Sequence, residues 1–83
     1  MASQISHLVK IVADIAIALE FTDEMLLNPD VAIEMQESIA GSLQSLEKID
    51  QEEIASAFET ISSLYPAELA GFVHALPASY GIK

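Results

Sequence analysis

Residues 28–46 read "NPDVAIEMQESIAGSLQSL", and this stretch indicates where one helix should begin and which side it should bury. Asn28 can cap the helix, and Pro29 suits its first position because the missing N–H would have no partner there. Asp30 complements the positive end of the helix dipole. The apolar residues then recur at helical spacing and predict one buried stripe, formed by Val31, Met35, Ile39, Leu43 and Leu46.

The segment before this stretch predicts another helix. Between residues 3 and 20, apolar side chains recur at a spacing of 3.6 residues, which is typical of an amphipathic helix rather than a strand. Ile17 falls on the opposite side among polar residues, and Ile11 lies at the edge of the stripe, so part of this helix could meet another chain. The predicted buried stripe contains Ile5, Leu8, Val9, Val12, Ile15, Ala16 and Leu19.

Two further helices are predicted after residue 46. Asp50 and Glu53 have the spacing of a capping box, which marks a helix start. Pro66 interrupts the next apolar stripe and begins a shorter helix, which Pro77 should close. The predicted helices span about residues 3–20, 29–46, 51–64 and 66–76, and the tail 77–83 should be loose.

These patterns predict an all-α fold, a compact four-helix bundle that forms a single domain over residues 1–83. Apolar residues make up 52% of the chain, which suffices for one core in a protein of this length. In the otherwise loose tail, Tyr80 and Ile82 are the side chains that could pack back onto this core. The turn "FTDEMLL" should insert its large apolar side chains there as well, namely Phe21, Met25, Leu26 and Leu27.

Thirteen acidic and three basic residues give the chain a net charge of −10. This charge repels the phosphates of nucleic acids and of anionic membranes, so it argues against both as partners and favours a basic protein. The alternative interpretation is that the charge only keeps a small apolar protein soluble. The sequence has no cysteine, no basic signal-peptide region and no apolar run of about 18–20 residues, so we expect a cytoplasmic protein.

The sequence has no recognisable pattern of catalytic or metal-binding residues. An EF-hand needs oxygen ligands at alternate positions around a glycine, whereas "DEMLLNPDVAIE" places apolar residues there. His7 and His74 have no acidic residue at the spacing of a carboxylate-bridged metal site. Serine is plentiful, but no nucleophile, base and orienting group stand together as a set. We therefore expect no enzymatic activity, no cofactor and no metal.

A carrier-protein interpretation depends on Gly41-Ser42-Leu43, which resembles the Gly-x-Asp-Ser-Leu motif that attaches phosphopantetheine. The chain lacks the aspartate before the serine, and Ser42 is predicted in the middle of a helix rather than at its start. Helical spacing also puts Ser42 on the core side, whereas a serine that carries a swinging arm must be exposed. An acyl-carrier-like domain is therefore the least favoured interpretation.

The acidic face of the second helix is the strongest candidate for a binding site. Ile33 points outward beside several carboxylates, and an apolar side chain ringed by charge is the usual layout of a binding hot spot. Gly41 costs about 1 kcal/mol of helix stability relative to alanine, which is consistent with a partner that approaches closely there. A solvated face without function is the alternative. The predicted partner-binding residues are Asp23, Glu24, Asp30, Ile33, Glu34, Glu37, Gly41 and Gln44.

Over most of its length the chain resembles a class of small acidic, all-helical bacterial proteins. The resemblance is carried by the acidic turn "FTDE", by the helix "NPDVAIEMQESIAGSLQSL" and by the C-terminal segment "FVHALPASYGIK". Some proteins of this type are immunity proteins, which bind and block a cognate toxin, often a basic nuclease. The resemblance implies a non-catalytic binding protein of the bacterial cytoplasm, and it transfers no functional residue.

The leading hypothesis is a stoichiometric binding protein that neutralises a basic toxin through the acidic face. Its carboxylates would speed the encounter with the toxin, and Ile33 would anchor the contact. The alternative is a self-associating adaptor bundle in which Ile11 and Ile17 of the first helix form a homodimer.

Overall fold

The computed structural model describes residues 2–83, with side chains from Gln4 onward. Over this range the chain forms four helices and no strand, which confirms the predicted all-α four-helix bundle. A short 3₁₀ turn, Ser62–Leu64, separates the last two helices. The helices are α1 (Ala2–Phe21), α2 (Pro29–Gln44), α3 (Lys48–Ile61) and α4 (Ala67–Ser79).

The core lies where α1, α3 and α4 meet, and small residues of α1 allow the close approach. Phe58 of α3 and Val73 of α4 are fully buried, and Ala13 and Ala16 of α1 are equally inaccessible. An alanine face lets two helix backbones approach more closely than a face of branched side chains. The predicted stripe of α1 is therefore partly wrong. Leu8 is 64% exposed and Ile15 is 43% exposed, whereas Ile17, predicted on the polar side, packs against the core. Val9 and Leu19 are buried as predicted.

The start of α2 is as predicted, but its buried side is not. The Asn28 side-chain oxygen accepts a hydrogen bond of 2.8 Å from the backbone N–H of Asp30, with Pro29 at the first helical position. Ala32 is the one residue of this helix that is buried, and α2 packs against α1. The predicted stripe members that remain exposed are Val31, Met35 and Leu46, while Ile39, Ala40 and Leu43 pack against the core.

A glutamine side chain, rather than the predicted capping box, joins α2 to α3. The amide of Gln51 donates hydrogen bonds to the carbonyls of Leu43, Gln44 and Leu46, at 3.3, 2.9 and 3.0 Å. It thereby satisfies orphan carbonyls at the end of α2. The next helix begins at Lys48, three residues earlier than predicted, and no side chain caps it.

The C-terminal segment is ordered by a Schellman motif, so the prediction of a loose tail is wrong. The helix α4 continues through Pro77 to Ser79 rather than ending before the proline. Pro77 has no N–H to donate to the preceding turn, and its ring is buried in the core. Gly81 then adopts a φ of +77°. The N–H of Ile82 donates to the carbonyl of Pro77 at 3.0 Å, and the N–H of Gly81 donates to that of Ala78 at 3.1 Å.

The ordered tail connects α4 to α2. Tyr80 and Ile82 are both only 3% exposed. The Tyr80 hydroxyl donates to the side-chain oxygen of Gln36 at 2.5 Å, and the Gln44 amide donates to the Tyr80 carbonyl at 2.7 Å. The tail therefore holds α2 in place, since α2 otherwise depends mainly on its contact with α1.

Replacing Gly81 with alanine should lower the free energy of unfolding by about 1–3 kcal/mol, because a side chain at positive φ is strained and the Gln44 bond is lost. A Cβ atom at this position would lie 2.6 Å from the side-chain nitrogen of Gln44. The matched control is Gly71→Ala in α4, where a Cβ meets no atom within 4 Å. This change should instead stabilise the helix by up to about 1 kcal/mol. Urea titration of both variants measures the two effects, and a Gly81→Ala chain as stable as the Gly71→Ala chain contradicts this account.

A candidate protein-binding groove

An open groove of about 550 Å³ lies between the end of α1, the α1–α2 turn (residues 22–28), α2 and α4. Three carboxylates line it, from Glu20 of α1, Glu24 of the turn and Glu37 of α2, together with the exposed side chain of Ile33. Its apolar lining consists of Leu19, Leu27, Ala32, Ala40, Phe72 and Leu76. We call this feature the acidic groove. It combines apolar surface with carboxylates that come from three separate parts of the chain.

Two hydrogen-bonded polar side chains, Gln36 and Tyr80, also line the acidic groove. The Tyr80 hydroxyl donates to Gln36, whose amide donates to the backbone carbonyl of Ala16 at 3.5 Å. Burial raises the pKa of Tyr80 to about 12, so the phenol stays protonated at neutral pH. These two side chains therefore bond to partners within the chain, and they fix the distance between α2 and the end of α4.

The turn before α2 presents two large apolar side chains to solvent. The backbone carbonyl of Asp23 accepts from the N–H groups of Leu26 and Leu27 at 2.8 and 3.0 Å, and its carboxylate accepts from the N–H of Met25 at 2.8 Å. This Asx-type turn directs Met25 and Leu26 outward, where they are 91% and 83% exposed. The prediction that both enter the core is therefore wrong, and only Leu27 is half-buried.

An aromatic pair forms one side of the acidic groove. The rings of Phe21 and Phe72 meet edge to face, with centroids 5.2 Å apart. Phe72 lines the groove, while Phe21 is 57% exposed and so does not enter the core as predicted. The contact holds the end of α1 against α4 at the side of the groove.

The structure brings only some of the predicted binding residues together. Glu24, Ile33 and Glu37 line the acidic groove. Glu34 is exposed but does not line it. The remaining predicted residues serve the fold or stand apart: Asp23 holds the turn, Asp30 occupies the first turn of α2, Gly41 borders open space, and Gln44 binds the tail.

Three residues of this region were missed by sequence reasoning. Glu20 lies at the end of α1 and reaches the acidic groove only because α1 and α2 run antiparallel beside each other. Met25 and Leu26 looked like core residues because they are apolar. The "TDEM" pattern contains the usable signal, since an aspartate that accepts from the N–H two residues later forms a turn and exposes the side chains after it.

Ser42, the candidate attachment site of a carrier domain, is exposed on α2. The prediction that it faces the core is wrong, because the side of α2 that packs inward carries Ala32, Ile39, Ala40 and Leu43 instead. The other two departures from the carrier motif stand. Ser42 is preceded by Gly41 rather than by aspartate, and it lies near the end of α2 instead of at a helix start.

Within residues 2–83, no three histidine, aspartate or glutamate side chains converge as ligands for one metal ion. No helix in the described part of the chain is both long and apolar enough to cross a membrane. Comparison with models of known protein families, with curated proteins and with solved structures gives no match for this chain.

Proposed function

We propose that the chain is a non-catalytic binding protein of the immunity type, which neutralises a basic bacterial toxin in the cytoplasm. The observation that carries this proposal is the acidic groove, in which Glu20, Glu24 and Glu37 surround apolar surface that no described part of the chain covers. The proposed ligand is a segment of the toxin that carries lysine or arginine side chains around an apolar residue. Binding would cover the toxin's active site or hold it in an inactive form.

The charges of the acidic groove suit a basic segment. Carboxylates around a concave apolar surface focus the electric field more strongly than the same charges on a flat face. The net charge of −10 adds long-range attraction for a basic protein and raises the association rate. The groove carboxylates would form charge-assisted hydrogen bonds with arginine or lysine at the contact itself.

The exposed apolar residues supply the anchors of the proposed contact. Ile33 lies beside Glu37 in the acidic groove, and the turn places Met25 and Leu26 near Glu24. An ordered turn that keeps two large apolar side chains in water favours a partner that removes them from it. Such apolar anchors, surrounded by polar groups that exclude water, contribute most of the energy of typical protein interfaces.

The first experiment is a pull-down of the tagged chain from a lysate of its own cells, at low and at high salt, with mass spectrometry of the eluate. A single basic protein recovered in equal amount to the chain, and weakened by salt, supports the proposal. Recovery of the chain alone at both salt concentrations argues against it.

With the partner identified, Glu37→Lys should weaken binding about tenfold or more, because it slows association and, by removing a charge-assisted contact in the groove, also speeds dissociation. The matched control is Glu34→Lys, which makes the same charge change on the same helix outside the acidic groove. It should alter affinity less, because only the long-range attraction is reduced. Surface plasmon resonance at two salt concentrations measures both effects. Equal losses for the two variants would move the contact away from the groove.

A further inference from the structure

We propose that the chain forms a symmetric homodimer through an uncharged face on the outer side of α1 and α2. This proposal does not depend on the acidic groove or on the identity of any toxin. We call the surface the outer face. It consists of Leu8, Ile11, Ile15 and Ala18 on α1, with Val31, Met35, Ser38, Ser42 and Leu46 on or just after α2, all of them exposed.

The residues of α1 in the outer face have the spacing of a helix–helix seam. Leu8, Ile11, Ile15 and Ala18 follow one another at intervals of three, four and three residues, the pattern by which helices pack along one another. None of the four is buried, and Leu8, Ile11 and Ile15 are 64%, 55% and 43% exposed. The core of this chain therefore leaves a complete packing seam of α1 unused.

The adjacent side of α2 continues this seam. Val31, Met35, Ser38 and Ser42 recur at intervals of four, three and four residues, and all are exposed. Helices α1 and α2 lie antiparallel, since Glu20 near the end of α1 lies in one groove with Pro29 at the start of α2, and Leu8 lies in another with Leu43 near its end. Helices α3 and α4 cover the other side of α1, and the residues of both seams are exposed, so the described part of the chain covers neither seam.

An apolar groove at one end of the outer face offers space for a side chain of the partner. It has a volume of about 340 Å³ and lies between α1, the end of α2 and the start of α3. Leu8 and Leu46 stand at its opening, and Phe58 lies among the residues that line it. Asp50 and Glu53 of α3 are the carboxylates at this end.

The charge distribution favours a second copy of this chain as the partner that binds the outer face. Two chains that each carry −10 repel, and this repulsion opposes association least where the contact surface presents few carboxylates. No residue of the outer face is charged. A basic partner would find no carboxylate to pair with at such a face, whereas a second copy buries no charge there. In a two-fold arrangement with antiparallel α1 helices, Asp50 and Glu53 of the two copies lie at opposite ends.

The exposed area also suits a dimer. The described fold exposes 5,394 Å², whereas a monomer of 8.9 kDa is expected to expose about 4,800 Å². The six large apolar side chains of the outer face expose roughly 500 Å², near the upper end for patches on monomeric proteins. With the small residues between them, the face approaches the roughly 800 Å² per partner of a standard interface.

Sedimentation equilibrium of the full chain tests the proposal. We expect twice the 8.9 kDa chain mass, with dimerisation stronger at about 0.5 M than at about 0.05 M salt because salt screens the repulsion between copies. A complex with a basic toxin responds to salt in the opposite direction, so the two proposals can fail separately. Ile11→Glu should raise the dissociation constant about 100-fold or more, because a symmetric interface contains the buried charge twice.

The matched control is Ile49→Glu, the same replacement at a residue of α3 that is 73% exposed and lies outside the outer face. It should leave the dimer intact. Ser38→Arg is the second test variant, because a polar surface residue can be replaced without loss of folding, which circular dichroism checks. A wild-type chain that stays monomeric up to about 1 mM at both salt concentrations overturns the proposal. Equal weakening by Ile11→Glu and Ile49→Glu, or an unaffected dimer in Ser38→Arg, overturns it as well.

Discussion

Replacing Phe58 with alanine should lower the free energy of unfolding by about 3–5 kcal/mol, because the change removes buried apolar surface and leaves a cavity. Phe58 is fully inaccessible and lies at the centre of the core, with its ring centroid 6.3 Å from that of Tyr80. A chain of this length has a total stability of about 4–12 kcal/mol. The variant is therefore expected to be partly or fully unfolded at 37 °C, which thermal and urea denaturation will show.

The matched control is Phe21→Ala, which removes the same side chain at a position that is 57% exposed. It loses the edge-to-face contact with Phe72 and should cost about 1 kcal/mol. If both variants lose the same stability, Phe58 is not the centre of the core and the assigned packing of α3 is wrong.

Replacing Tyr80 with alanine should cost about 3–5 kcal/mol and should loosen α2 more than α3. Tyr80 is 3% exposed and its hydroxyl bonds to Gln36 across the acidic groove. The Tyr80→Phe control keeps the ring and removes the hydroxyl, so its cost should be about 1 kcal/mol. Amide hydrogen exchange should show faster exchange in α2 of the alanine variant. Uniform loss of protection in all helices would contradict the role assigned to the tail.

The same residue makes stability sensitive to alkaline pH. The pKa of Tyr80 is about 12 in the folded chain, because burial disfavours the phenolate, and 10.0 without the fold. Below pH 10 both states keep the proton, and the contribution of Tyr80 to stability is fully present. As the pH rises toward 12, the unfolded chain loses its proton first, so the free energy of unfolding falls.

Tyr80→Phe should therefore reduce the loss of stability between pH 10 and pH 12, which urea titrations across that range will measure. The loss of stability between pH 10 and pH 12 in Tyr65→Phe can be compared with that in Tyr80→Phe, because burial and the adjacent Asp14 carboxylate also raise the pKa of Tyr65. The Tyr65 hydroxyl donates to Asp14 at 2.5 Å, near the protein surface. A slope that is unchanged in Tyr80→Phe would show that the Tyr80 phenol does not titrate with unfolding.

Helix α2 contributes residues to both proposed binding surfaces, because its two sides carry different side chains. One edge carries Ile33 and Glu37 toward the acidic groove, and the other carries Val31 and Met35 toward the outer face. Binding of a basic partner at the first edge leaves the second free for a second copy of the chain. A dimer would thus present two acidic grooves.

The candidate site was only partly predictable from the sequence. Glu24 and Glu37 are recognisable as members of an acidic run, because charge can be read directly from the residues. Whether these residues line a groove or a flat face depends on Phe72 and Tyr80. These lie 28 and 36 residues after the end of α2 and come to the same groove only in the folded bundle. The role of Gln44 likewise depends on a bond to Tyr80, which local patterns do not reveal.

The sequence by itself determined the local features of this protein. Asn28 and Pro29 set the start of α2, helical spacing predicted four helices, and the excess of carboxylates set the sign of the charge. Only the tertiary structure decided which side of each helix is buried. Helical periodicity gives the angles between side chains of one helix, but Ala13 and Ala16 displace Leu8 and Ile15 from the core because small residues let neighbouring helices approach most closely.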